Sequence, residues 1–177
     1  MAIFLHRFFG ALALDAGAFE DIEADRHASA QSALVVALVC IAAGISSMEL
    51  GMANAASFLS GAIIALGIWL IWVMVVGVIG TTDLAEPQTH SSFGELLRTL
   101  GFAAAPGVFI VFTIFRSAAP LVIVMVSLWM IAAAVLGMRQ ALDYRHTSRA
   151  LAVCVLAWLV SIGVVAMAMV IFSRTVE

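Results

Sequence analysis

An all-α fold, a polytopic membrane bundle of five transmembrane helices with an N-terminal amphipathic interfacial helix, is predicted by three observations. Of the 177 residues, 64% are hydrophobic and only 11% charged, and the mean hydropathy is +1.17. Apolar runs close to the roughly 20 residues that cross about 30 Å of hydrocarbon recur along the whole chain. The polar residues crowd the segments between those runs, and chiefly on one side of the membrane. No linker, low-complexity tract or internal repeat interrupts the pattern, so residues 1–177 read as one domain.

The first 18 residues open with a basic pair followed by apolar residues and Ala-x-Ala triplets, a signal-peptide pattern that Asp15 and the acids after it oppose. On a helix, Leu5, Phe8, Phe9 and Leu12 share one face, which predicts an interfacial helix over residues 1–18 lying along the inner leaflet. The string AFEDIEADRHA, residues 18–28, has neither proline nor glycine and is expected to run on as helix into a first span at about residues 30–48. The second span falls at about 58–80. After it, Pro87 keeps the connection from being helical, and Ser92 followed by Glu95 forms a capping box that starts the next helix. The third span, about 96–115, carries Arg98 near its start. Its Pro106-Gly107 step removes a helical hydrogen bond, so a kink or break is predicted there. The fourth and fifth spans cover about 118–138 and 150–172. Gly61 with Ala65, Ala103 to Ala105, and Ala132 to Ala134 with Gly137 are small enough to let helices approach closely.

Arginine placement orients the bundle, because basic residues in short flanking segments favour the cytoplasmic side. With the N-terminus inside, Arg7, Arg26, Arg98, Arg139, Arg145 and Arg149 are cytoplasmic, and only Arg116 and Arg174 lie across the membrane. An odd number of spans then exports the C-terminus. A net charge of −3 offers no basic field for nucleic acid, which is excluded as a partner. Cys40 and Cys154 sit inside apolar runs without Cys-x-x-Cys spacing and read as buried thiols.

Polar residues carry the information about chemistry, since lipid makes them costly. If the helix over 18–28 is continuous, Glu20, Glu23 and His27 fall within about 60° of one another, with Gln31 continuing the stripe. Carboxylates and an imidazole so placed can converge on a divalent cation or an arginine; the alternative is a solvated helix end. Asp83, Glu86 and His90 fall on the loop before the third span, and Asp83 or Glu86 can complete a metal shell. Arg139, Asp143 and His146 share a face if the fourth helix continues, so Arg139 is expected to pair with Asp143 or with an acid from Glu20, Glu23, Asp83 or Glu86. The competing reading is an arginine snorkelling to the interface. No nucleotide loop, Gly-x-Ser-x-Gly elbow or His-Glu-x-x-His string is present, and the centres of the spans are free of charge.

The segments AFEDIEADRHA (18–28), GELLRTLGFAAAPG (94–107), LWMIAAAVLGMRQALDY (128–144) and RALAVCVLAWLV (149–160) together resemble the prokaryotic branch of the Yip1-domain family, and the likeness covers nearly the whole chain. The resemblance implies a five-span protein of the bacterial inner membrane with a cytoplasmic N-terminus. Eukaryotic members of the wider family contact prenylated Rab GTPases in vesicle traffic; that role is not carried over, because this sequence shows no long cytoplasmic N-terminal region. The expected function is non-enzymatic, by self-association as a homo-oligomer or as an accessory subunit of a membrane complex, with the lipid bilayer as solvent and no cofactor. Two alternatives remain: a small transporter or divalent-cation-binding protein using the carboxylate and histidine cluster, and a membrane metalloenzyme with an open coordination position.

Overall fold

The computed structural model describes residues 1–50, 54–82 and 92–175, which are helical with no strand among them. The helices are α1 (Ala2–Leu12), α2 (Ala16–Ala24), α3 (Ala28–Leu50), α4 (Ala55–Thr81), α5 (Phe93–Ala103), α6 (Ala119–Ala141) and α7 (Thr147–Thr175), with a 3₁₀ segment at Ala105–Ile114 between α5 and α6. Four stretches among the described residues are long and apolar enough to cross a membrane: Ala28–Met48, Ala55–Thr81, Phe93–Ile114 and Ala119–Ala141. They coincide with the first four runs expected from the sequence. The fifth run lies within α7, whose 29 residues make about 43 Å of helix.

The amino terminus departs from the single helix expected over residues 1–18. Helix α1 stops at Leu12, and Leu14 takes a left-handed conformation with φ 58°. Its N–H donates to the Ala11 carbonyl (3.2 Å) and the Asp15 N–H to the Gly10 carbonyl (2.9 Å). This paired geometry is a Schellman stop built without glycine. The Asp15 carboxylate then caps α2 by accepting from the Gly17 N–H at 2.9 Å. The result is a tight helical hairpin in which a Cβ on Gly10 would collide with Ala18. Phe4, Phe8 and Leu12 turn towards the core, while Ile3, Leu5 and Phe9 stay exposed.

A second correction concerns the expected helix from residue 18 into the first span. Helix α2 ends at Ala24, Asp25 is extended (φ −99°, ψ 110°), and α3 starts afresh at Ala28. The Asp25 carboxylate accepts the His27 N–H at 2.9 Å, a local bond that competes with helical continuation. The break lets α2 fold back against α5 and α6, where Phe19 and Ile22 are fully buried.

The third span breaks where proline predicts. Its N-terminus carries the capping box, with Ser92 N–H donating to Glu95 Oε2 (2.8 Å) and Glu95 N–H to Ser92 Oγ (3.3 Å). Regular α-helix ends at Ala103, and the tighter 3₁₀ segment takes over through Pro106. The two pieces together still reach about 36 Å, enough to cross. Ala104, Ala105, Pro106 and Gly107 are buried, and Val39 of α3 and Met130 of α6 leave no room for a Cβ at Gly107.

Packing follows small residues, as expected where lipid supplies no hydrophobic drive between helices. Ser32 of α3 lies against Gly101 of α5 and donates to the Leu97 carbonyl at 2.9 Å. Farther along, Ser46 of α3 bonds Thr113 of the 3₁₀ segment, and Ser47 seats against Gly61 of α4. The largest fully buried side chains, including Phe19, Ile22, Leu96, Leu100, Phe102, Met138 and Leu142, gather around α2, α5 and the end of α6. The outer faces of α4 and α6 expose Leu59, Ile63, Ile64, Leu121, Val124 and Leu128, the side chains lipid would cover.

Candidate functional polar layer

Most of the charged side chains among the described residues gather at one end of the bundle, where α2, the start of α5 and the close of α6 meet, with Arg116 at the opposite end of the third span. Arg7 is the anchor of one half. It projects from α1 and is 3% exposed. Its Nε donates to Asp21 Oδ2 (2.8 Å), Nη2 to Asp25 Oδ2 (2.9 Å) and Nη1 to Gln31 Oε1 (3.2 Å). One guanidinium therefore ties α1 to α2, to the α2–α3 turn and to the first turn of α3. The bond to Asp21 raises the Arg7 pKa above its ordinary value. The His27 N–H, and then Arg7, hold the Asp25 carboxyl below its own.

Arg98 of α5 anchors the other half. It is buried, its Nη2 donates to the Glu23 backbone carbonyl at 2.7 Å, and Glu95 Oε1 lies 3.9 Å from the same nitrogen. Its Nε is buried without a partner among the described residues. The Glu23 side chain is half-buried above it. Burial, reinforced by Asp143, Glu95 and Glu20 and opposed by Arg98, pushes its carboxyl up to about 7. A carboxyl that titrates near neutrality is the chemically distinctive group of this layer.

The expected ligands separate differently from the sequence reading. Because α2 stops at Ala24, Glu20, Glu23 and His27 do not share one helical stripe; Glu20 and His27 are exposed. Among the described residues, no three His, Cys, Asp or Glu side chains come together to hold a metal ion. Asp83, Glu86 and His90 lie outside the described residues.

The fourth-span face also dissolves, because α6 ends at Ala141 in a second Schellman stop. Asp143 has φ 52°, its N–H donates to the Gln140 carbonyl (3.0 Å), and the Tyr144 N–H reaches the Arg139 carbonyl (3.0 Å). The Tyr144 hydroxyl donates to the Gly80 carbonyl at 2.8 Å and pins this turn onto α4. Arg139 is exposed, and its guanidinium forms no ion pair with a described residue. The buried arginines of the layer are Arg7 and Arg98, neither of which the sequence reading singled out for pairing. For Arg7 a signal was available: it is a lone cation in an apolar helix, followed by closely spaced acids.

Beside this layer, Met74, Val78, Phe93 and Leu96 line an open apolar groove of about 370 Å³ between α4 and α5, rimmed by the hydroxyls of Thr81 and Ser92. No curated protein and no solved structure matches the chain. Residues 9–169 match the family model of the Yip1 domain. That match begins in the last turn of α1 and takes in α2, the membrane helices and most of α7, and the chain belongs to the Yip1-domain family.

Proposed function

We propose that the protein is a five-span component of a bacterial inner membrane, N-terminus cytoplasmic and C-terminus periplasmic, that acts by contact with other membrane proteins or with copies of itself and performs no catalytic step. The observation that carries this reading is how the polar layer is used. Arg7, Asp21, Asp25 and Gln31, and Arg98 with the Glu23 carbonyl, bind helix to helix, while the spans turn uncharged apolar faces outward. The length of α7 supports a fifth crossing. Photo-crosslinkers placed at the exposed Ile63, Leu128 and Trp158 positions in native membranes should each report contacts, and at least one face should yield a discrete adduct of fixed mass. Lipid adducts alone from all three helices, with a monomer by native mass spectrometry, would overturn the reading. A reporter fused after Glu177 should report the exported side; a cytoplasmic signal there would remove the five-span topology.

The broken third span favours a second reading, a small transporter, because interrupted helices free backbone groups at membrane depth. In that reading the expected cation site is reduced to Glu23 with Asp83 or Glu86, because Glu20, Glu23 and His27 do not share one helical face. Zinc or manganese should then raise the melting temperature of wild type but not of Glu23→Gln, and reconstituted vesicles should show cation flux.

A further inference from the structure

Helix α1 sits deep along the bundle. Its Phe4 ring packs on Phe102, nine residues past the start of α5, with ring centroids 6.3 Å apart. Trp129 Nε1, twelve residues before the end of α6, donates to the Leu12 carbonyl at 2.9 Å. At 1.5 Å per residue these partners stand about 14 and about 18 Å from the polar-layer ends of their helices. The third span and α6 are each about 35 Å long, so those ends lie only a few ångströms outside about 30 Å of hydrocarbon. With the reach of the indole allowed for, Leu12 is roughly 10 Å inside the hydrocarbon boundary.

The two ends of α1 are finished differently. Every carbonyl of its last turn is satisfied within the protein: Phe9 by the Ala13 N–H (2.8 Å), Gly10 by that of Asp15 (2.9 Å), Ala11 by that of Leu14 (3.2 Å) and Leu12 by the Trp129 indole. Hydrocarbon demands such closure of any backbone it surrounds. The first turn, by contrast, has no side-chain cap, and Met1 is 97% exposed, which suits a helix end that water reaches. Four residues beyond Leu12 the Ala16 carbonyl accepts from Gln140 Nε2 at 3.4 Å, next to the end of α6, so the chain has already returned to the polar layer.

The exposed face points the same way. Arg7 reaches to the polar layer through Asp21, Asp25 and Gln31. Side chains two places along a helix project about 160° away. The exposed Leu5 and Phe9 therefore face away from the layer, and Ala2 and Ala13, also exposed, continue their stripe. His6 stands on the flank, about 100° from Arg7.

We propose that α1 is a re-entrant helix, which enters the leaflet on the polar-layer side at Met1, slants among its acyl chains to Leu12 and hands the chain back to the surface through α2. The stripe of Ala2, Leu5, Phe9 and Ala13 is covered by acyl chains of that one leaflet and by no protein. The slant is the same whichever side of the membrane the layer faces, and so does not depend on the five-span topology.

Site-directed spin labels on the full chain in phospholipid vesicles test the slant. Ala2→Cys, Leu5→Cys, Phe9→Cys and Ala13→Cys are labelled one at a time in a Cys40→Ala, Cys154→Ala background, and depth is read from collisions with oxygen against a water-soluble nickel chelate. Depth should increase in that order, from the headgroups at residue 2 to roughly 10 Å inside the hydrocarbon at residue 13. A label at Glu20→Cys, on the exposed side of α2, should stay open to nickel. Equal, shallow depths at all four positions would make α1 a helix lying on the surface and overturn the proposal. Exclusion of both oxygen and nickel from the stripe would mean that protein covers it, and would overturn the proposal too.

Discussion

Arg7 provides the sharpest test of how the amino-terminal hairpin is held. Replacing it with alanine removes three charge-assisted bonds from a side chain that is 3% exposed. Breaking a fully buried ion pair costs about 3–5 kcal/mol, mostly because the partner is stranded in low dielectric. Here the stranded carboxylates are not deeply buried: the Asp21 and Asp25 side chains are 52% and 33% exposed, so water rehydrates them in part. The expected loss is therefore about 2–4 kcal/mol, to which the lost packing of the arginine stem contributes. Arg7→Lys keeps the charge but not the planar fork that reaches three acceptors, and should lose about 1–2 kcal/mol. Equilibrium unfolding in detergent measures these changes, and a double-mutant cycle with Asp21→Ala should return a coupling of at least about 1 kcal/mol. Arg139→Ala, at an exposed position, should fall within about 0.5 kcal/mol of wild type. If Arg7→Ala and Arg139→Ala are equally mild, the hairpin is not held by Arg7 and the reasoning fails.

Other perturbations separate the remaining interactions. Since the folded Glu23 carboxyl titrates at about 7 against 4.5, the native state binds the extra proton between those values; its contribution to stability is full below 4.5 and lost as pH rises through 7. Glu23→Gln should thus unfold like wild type near pH 4.5 and be about 1–3 kcal/mol more stable near pH 8, read from paired denaturation curves. Gly101→Ala drives a Cβ into Ser32 and should cost about 1–3 kcal/mol, whereas Gly67→Ala meets nothing and should be neutral or stabilising by up to about 1 kcal/mol, as thermal melts would show. Tyr144→Phe deletes a buried bond to the Gly80 carbonyl and should cost about 1–2 kcal/mol, with faster hydrogen exchange at the end of α4.

What could be read from the residues alone was local. A run of apolar residues long enough to span needs no partner to announce itself, so the first four spans lie where the sequence puts them. Pro106 lacks an N–H in any surroundings, and Ser92 and Glu95 cap each other across one turn, so the break and start of the third span were equally legible. The helix ends at Leu12, Ala24 and Ala141 were not. Leucine and aspartate rarely signal a left-handed stop, and Leu14 and Asp143 adopt one here because distant contacts support it: Leu14 packs on the core, and Tyr144 is pinned to Gly80. Those stops decided the polar layer. By ending helices early they dispersed the stripes that Glu20, Glu23 and His27, and Arg139, Asp143 and His146, would have formed. They turned α2 inward and brought Arg7 and Arg98 into burial, while Arg139 stayed exposed. Which arginine is buried is set by where the chain reverses, and reversal without glycine or proline is stabilised by contacts between segments far apart in sequence.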